Sequence, residues 1–209
     1  MEAKRYLIPT PHGEVSLVFA NKPRDEVVVI IHGAGRRAFQ LRSWLAHDVV
    51  LAELPGHDVA PMIEGDLATY AAAYEAALAH VWPGLPVTVV GESLGGLVAL
   101  QMSGRVIAVD PPLEPTPEVE HELRVGFVAT WLKPILRTEH WHLLDNLGQD
   151  VEIICPTRSI LPEKSIDRIQ GYPRVHLSRA EGGHVLLDEN PDAVLNVLRK
   201  EKLTLSKAR

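Results

Sequence analysis

The residue best suited to do chemistry is Ser93, at the centre of the pentapeptide G-E-S-L-G that spans 91–95. A run rich in β-branched side chains precedes this pentapeptide, and an apolar run of helical length follows it. A sharp strand-to-helix turn strains its central residue, and glycines on either side avoid a clash with the crossing backbone. The helix N-terminus adds positive potential and free N–H groups. The pattern predicts a nucleophilic Ser93, and the alternative is a structural serine in a glycine-rich turn.

Elements able to position this serine alternate along the chain. Unbroken β-branched runs at 27–31 and 87–90 are typical of strands covered on both faces of a parallel sheet. An alanine-rich segment over 66–81 predicts a helix with Asp66 as its N-cap. Strands that alternate with helices predict a three-layer α/β fold, with a mostly parallel sheet and helices on both faces.

One segment departs from this alternation. Residues 113–148 contain prolines and then amphipathic stretches, and we interpret them as a small inserted helical lid. The chain has no internal repeat, low-complexity tract or linker. We therefore expect residues 1–209 to form a single domain.

The composition excludes several classes of partner. A hydrophobic content of 46% and a charged content of 23% are typical of a soluble globular protein. A net charge of −6 without a long basic cluster argues against nucleic acid. No apolar run approaches the roughly 18–20 residues that cross a bilayer. The single cysteine, Cys155, and the absence of a signal-peptide pattern predict a cytoplasmic protein.

Cofactor signatures are also missing from the sequence. No G-x-G-x-x-G follows the first strand, so no dinucleotide is implied. The histidine, cysteine and acidic residues do not show metal-ligand spacing, and His140 and His142 lack a third ligand. We expect neither a cofactor nor a metal, and the oligomeric state is left open.

Four short motifs, taken together and in order, resemble the α/β-hydrolase superfamily over nearly the whole chain. Residues 32–35 (H-G-A-G) resemble the segment after the third strand, and residues 54–57 (L-P-G-H) resemble the turn after the fourth. Residues 91–95 resemble the nucleophile elbow, and Gly183-His184 resembles the catalytic-histidine loop before the last helix. The resemblance implies an α/β-hydrolase fold. The chain is short for that superfamily, and its predicted lid is small.

Acyl-transfer chemistry requires a nucleophile, a base, a carboxylate that orients the base, and donors for the oxyanion. The resemblance implies Ser93 as nucleophile and His184 as base. It also implies that the backbone N–H groups of Ala34 and Leu94 form the oxyanion hole.

The catalytic acid does not follow directly from the resemblance, because its usual position after the strand at 151–155 carries no carboxylate. Aligning on Pro162 places Arg158 or Ser159 there. Asp110 follows the preceding strand in a D-P context that resembles some lipases, and we predict it as the acid. Glu163, and after it Asp167, are the alternatives, and a turn cap is the structural alternative for Asp110.

Four further residues are candidates for substrate binding. Arg36 could meet an acidic group, unless it is part of a solvated first helical turn. Arg158 could bind a substrate carboxylate or neutralise Asp110. Trp131 and Trp141 could line an acyl pocket under the lid or form the core of the lid itself.

We therefore predict a serine hydrolase that cleaves an ester or thioester of a small molecule through an acyl-enzyme. An acyltransferase or cyclase, in which an alcohol or amine replaces water, uses the same machinery. A non-catalytic ligand-binding member of the fold is the alternative from another class.

Overall fold

The structure is a computed structural model that describes residues 2–125 and 128–207, with side chains to residue 199. The described residues form one eight-stranded sheet. Its strands are β1 (Lys4–Thr10), β2 (Gly13–Phe19), β3 (Val27–Ile31), β4 (Val50–Ala52), β5 (Val87–Glu92), β6 (Arg105–Val109), β7 (Val151–Arg158) and β8 (Val175–Gly183).

Helices connect these strands. The α-helices of the described residues are α1 (Leu67–Val81), α2 (Leu94–Ala99), α3 (Pro117–Val125), α4 (Lys133–Leu136), α5 (His142–Asp145), α6 (Glu163–Gln170), α7 (Leu186–Glu189) and α8 (Pro191–Lys207). Two 3₁₀ helices cover Ala38–His47 and Thr130–Leu132. Asp66 caps α1 as predicted, since its side chain accepts a hydrogen bond from the Thr69 backbone N–H.

The sheet is mostly parallel, with strand order β1-β2-β4-β3-β5-β6-β7-β8. Only the two pairings that involve β2 are antiparallel, among the pairings of the described residues. The carboxyl ends of β3, β5, β6, β7 and β8 meet at one edge, where sites in parallel sheets assemble.

Both faces of the sheet are covered, because alternate strand residues point to opposite sides. Val29 and Val89 belong to a core cluster that includes α1 and α2, whereas Ile30 and Val90 belong to a second cluster with α8 and the 3₁₀ helix at Ala38–His47. The predicted three-layer arrangement is confirmed.

Two local details differ from the sequence prediction. The helical spacing of Phe39, Leu41, Trp44 and Leu45 predicts a helix over 36–45, and the structure has a 3₁₀ helix over Ala38–His47. The run E-G-G-H at 181–184 predicts a loop, but residues 181–183 extend β8 because β7 continues to Arg158, which pairs with Gly183 beyond a register irregularity. The longer strand brings the backbone to within one residue of His184.

Candidate active site

The strand–turn–helix around Ser93 has the geometry that its glycines predict. Ser93 has φ 55° and ψ −120°, and it lies between β5 and α2. A Cβ on Gly91 would stand 2.1 Å from the carbonyl oxygen of Gly95, and a Cβ on Gly95 would stand 2.3 Å from the carbonyl oxygen of Ile31. Only glycine fits either position, so the crossing of β5, α2 and β3 is as close as backbones allow.

Three side chains form a continuous hydrogen-bonded chain at the carboxyl edge of the sheet. His184 Nε2 lies 2.9 Å from Ser93 Oγ, and His184 Nδ1 lies 2.8 Å from Asp110 Oδ2. With the Nδ1–H tautomer, the imidazole donates to Asp110 and accepts from the Ser93 hydroxyl. This is the geometry that nucleophilic catalysis by a serine requires.

Asp110 is fully buried, and two donors besides His184 hold its carboxylate. It follows β6 with φ 45°, in the left-handed region that aspartate tolerates. The Ser159 hydroxyl donates to Oδ1, and the Ile160 backbone N–H donates to Oδ2 at 3.1 Å. These contacts satisfy a buried charge that would otherwise be costly.

The alternative acids lie elsewhere. Glu163 is largely exposed and pairs with Arg179 at 2.9 Å. Asp167 is exposed on α6. The structure therefore brings Asp110, and neither of these, to His184.

The environment of His184 favours its protonated form. Burial lowers the pKa of this imidazole, but the hydrogen bond and charge of Asp110, with the charges of Glu92 and Glu122, outweigh that effect. The net result is a pKa above the ordinary value, which strengthens His184 as a base.

The two backbone N–H groups predicted as oxyanion donors belong to residues close to Ser93. Leu94 follows Ser93 directly at the start of α2, and Ala34 lines the same cavity as Ser93. Gly33 keeps the loop against the serine, since a Cβ there would approach Ser93 Cβ to 3.0 Å. These are the two donors that the sequence predicts.

A cavity of about 260 Å³ opens above Ser93 and His184. Its walls include the apolar side chains of Val119, Leu123, Val128, Leu136, Ile160 and Val185. Four of these come from the segment predicted as a lid, of which residues 126–127 lie outside the described residues. The one carboxylate that this segment contributes to the cavity, among its described residues, belongs to Glu122.

The four predicted binding residues have different surroundings. Arg36 lines the cavity, but its guanidinium pairs with Glu92 and Asp188 and is not free for an anion. Arg158 pairs with Glu189, so the structure does not support its predicted pairing with Asp110.

The two tryptophans lie outside the lining of this cavity. Trp131 packs edge-on against His57 and Tyr70. Trp141 is buried beneath the Arg168 guanidinium. Neither tryptophan therefore lines the cavity, and these ring contacts are with residues outside the 113–148 segment.

Sequence reasoning missed Ser159 as a partner of Asp110, Glu122 as a cavity wall, and the cation that pairs with Glu92. A signal existed for Ser159, because alignment on Pro162 places either Arg158 or Ser159 where the related pattern carries its acid. Sequence patterns are local, so no pattern could connect Arg36 with Glu92, 56 residues away, or place Glu122 at the cavity of Ser93 and His184.

The described residues contain no group of three potential metal ligands. None of their helices combines the length and apolar character needed to cross a bilayer.

Residues 28–164 match the model of the Alpha/beta hydrolase family, which covers more than half of the chain. The chain therefore belongs to this family, and the resemblance noted in the sequence is confirmed. A search of curated proteins finds no match.

Solved structures share the fold at low sequence identity. Naproxen esterase from Bacillus subtilis is 14% identical, with a TM-score of 0.72 over 95% of this chain and 91% of that one. A 2-hydroxy-6-oxo-6-phenylhexa-2,4-dienoate hydrolase from Rhodococcus sp. strain RHA1 is 18% identical, with a TM-score of 0.72 over 95% and 98%. The thioesterase domain of the curacin biosynthetic pathway is 14% identical, with a TM-score of 0.70 over 94% and 99%.

Proposed function

We propose that this protein is a serine hydrolase that cleaves an ester or thioester of a small molecule. The observation that carries the proposal is the unbroken chain from Ser93 Oγ through His184 to Asp110, directly below an apolar cavity. Similar folds in an esterase and a thioesterase support the same reaction class.

In the proposed mechanism, His184 Nε2 accepts the hydroxyl proton as Ser93 Oγ attacks the carbonyl carbon. The N–H groups of Ala34 and Leu94 stabilise the oxyanion of the tetrahedral intermediate. His184 then donates the proton to the leaving oxygen or sulfur, and the acyl-enzyme forms. Water, deprotonated by His184, attacks the acyl carbonyl and releases the acid with Ser93 restored.

The cavity limits the class of acyl group. A volume of about 260 Å³ suits a short chain, and its apolar walls suit an uncharged one. Glu122 places a carboxylate at this cavity, while the charge of Arg36 is already taken up by Glu92 and Asp188. We therefore favour neutral acyl groups over anionic ones.

The remaining sequence predictions stand as part of this proposal. We propose that residues 1–209 form one domain and that residues 113–148 act as its lid, which the cavity walls supplied by Val119, Leu123 and Leu136 support. We propose a cytoplasmic location, since the sole cysteine, Cys155, is buried and unpaired.

The test is intact-mass spectrometry after exposure to a fluorophosphonate, which phosphonylates an activated serine. We expect one adduct on the wild type and none on Ser93→Ala, whose thermal unfolding should be nearly unchanged. Ser103→Ala, at an exposed serine away from the site, is the matched control and should label normally. Labelling of Ser93→Ala, or none of the folded wild type, would refute the proposal.

Wild-type labelling would then justify a panel of p-nitrophenyl esters and acyl thioesters of increasing chain length. We expect turnover to be highest for short neutral acyl groups. Turnover confined to long or anionic chains would contradict the assigned substrate class.

A further inference from the structure

The residue immediately before the proposed nucleophile is a buried carboxylate. Glu92 ends β5 and is 1% exposed. Its Oε2 accepts a hydrogen bond from Arg36 Nη1 at 2.7 Å, and its Oε1 accepts one from the Leu187 backbone N–H at 2.9 Å. Both carboxylate oxygens are therefore occupied, each by a different segment of the chain.

Those two segments carry the other parts of the proposed site. Arg36 lies two residues after Ala34, the proposed oxyanion donor. Leu187 lies three residues after His184. The second nitrogen of the Arg36 guanidinium pairs with Asp188, the neighbour of Leu187, so the two loops are also joined directly. Glu92 thus connects the elbow, the oxyanion loop and the histidine loop.

This arrangement is unfavourable to stability in itself. Burial raises the pKa of Glu92, and the Arg36 charge and the Leu187 hydrogen bond only partly oppose the shift. A carboxylate with a raised pKa destabilises the fold when it is ionised, so stability is lost as the pH rises through that pKa.

We propose that Glu92 is a positioning residue, which holds the oxyanion loop and the histidine loop in register with Ser93. This inference rests on the proposed function. Glu92 lines the cavity beside Ser93, but both of its carboxylate oxygens are bonded to Arg36 and Leu187, and the inference therefore assigns it no contact with substrate. A displacement of about 1 Å in either loop would slow the chemical step substantially.

The test measures fluorophosphonate labelling of Ser93 as a function of pH, which requires no knowledge of the substrate. Glu92→Gln keeps the shape and an acceptor for Leu187 but removes the charge that holds Arg36. We expect the maximal labelling rate, kinact, to fall about tenfold on its high-pH plateau, with KI unchanged. Thermal unfolding is measured in parallel, so that kinact is compared only under conditions where both proteins are fully folded.

The pH profile supplies a second readout. The titratable groups that act on His184 are Asp110, Glu92 and Glu122. The negative charge of Glu92 raises the pKa of His184, so its removal should move the acid limb of the kinact profile to lower pH. The fall in the high-pH plateau measures the loss of positioning separately. Glu118→Gln is the matched control, because it removes a glutamate charge at an exposed position that does not line the cavity. Its kinact should change less than about twofold.

A double variant keeps the inference falsifiable even if one substitution disturbs the fold. Arg36→Met combined with Glu92→Gln should label no more slowly than Arg36→Met alone, because Arg36→Met already removes the ion pair with Glu92. Multiplied effects, an unchanged plateau in Glu92→Gln, or equal losses in Glu118→Gln would overturn the inference. Absence of labelling in the wild type would instead refute the proposed function, and the role of Glu92 with it.

Discussion

The hydroxyl of Ser159 donates a hydrogen bond to Oδ1 of Asp110, across a separation of 49 residues. Ser159 Oγ also accepts the backbone N–H of Leu161 at 3.0 Å, which fixes its orientation. The position after β7 where the related pattern carries an acid thus holds a hydroxyl that supports an acid from β6. Asp110 and the Ser159 hydroxyl that supports it therefore follow two neighbouring strands, β6 and β7.

Replacement of Asp110 by asparagine should lower turnover by about 10³- to 10⁴-fold, because the amide no longer holds His184 in the required tautomer. Steady-state hydrolysis of a p-nitrophenyl ester measures the loss. Glu163→Gln, at the exposed alternative, is the control and should alter the rate less than about twofold. The reverse result would assign the acid to Glu163.

Ser159→Ala should have a smaller effect on turnover, about five- to tenfold. Asp110 keeps the Ile160 N–H and His184 but loses its donor at Oδ1, which costs about 1–3 kcal/mol of folding stability. Kinetics and urea unfolding measure the two losses. Ser159→Thr retains the hydroxyl and should keep most of the wild-type rate. Equal rates in Ser159→Ala and Ser159→Thr would contradict the role of the Ser159 hydroxyl in supporting Asp110.

The pH dependence follows from the raised pKa of His184. The imidazole must be neutral to accept the serine proton, so kcat/KM should rise with pH and level off above this pKa. Its midpoint should lie above the ordinary histidine value of 6.5. Asp110→Asn removes the charge that contributes most to raising the pKa of His184 against the effect of burial, so the midpoint should move to lower pH. A wild-type midpoint below 6.5 would contradict the described surroundings of His184.

Glu122→Gln should relax discrimination against anionic substrates. Glu122 lies at the cavity, so its charge repels an acyl group that carries a carboxylate. The ratio of kcat/KM for p-nitrophenyl butyrate to that for mono-p-nitrophenyl succinate should fall about three- to fivefold. Glu118→Gln, an exposed glutamate on the same helix that does not line the cavity, should leave the ratio unchanged.

Gly95→Ala should destabilise the fold by about 3 kcal/mol or more, because the new Cβ would meet the backbone oxygens of Ile31 and His32. Gly148→Ala adds the same methyl group in open space and should change the free energy of unfolding by less than about 0.5 kcal/mol. Urea unfolding compares the two. Equal stabilities would show that the crossing at the elbow is looser than described.

Most of the fold could be predicted because its signals are local. The unbroken run at 27–31 indicates a buried parallel strand wherever it occurs, and Asp66 can cap α1 without knowledge of any distant residue. The glycines at 91 and 95 predict the elbow because backbone clashes there depend only on the turn itself. The same reasoning was less successful for 36–45, where the pattern did not separate an α-helix from a 3₁₀ helix.

The sequence by itself therefore determined the sheet, the elbow and the identity of Ser93 and His184 as candidates. Only the tertiary structure decided which carboxylate lies beside His184. Asp110 and Glu163 both come after strands, but Asp110 contacts His184 whereas Glu163 pairs with Arg179 at the surface. The tertiary structure also decided that Arg36 pairs with Glu92, and that Trp131 and Trp141 pack away from the cavity. These contacts join residues far apart in sequence, and their energies depend on burial and distance, which exist only after the chain has folded.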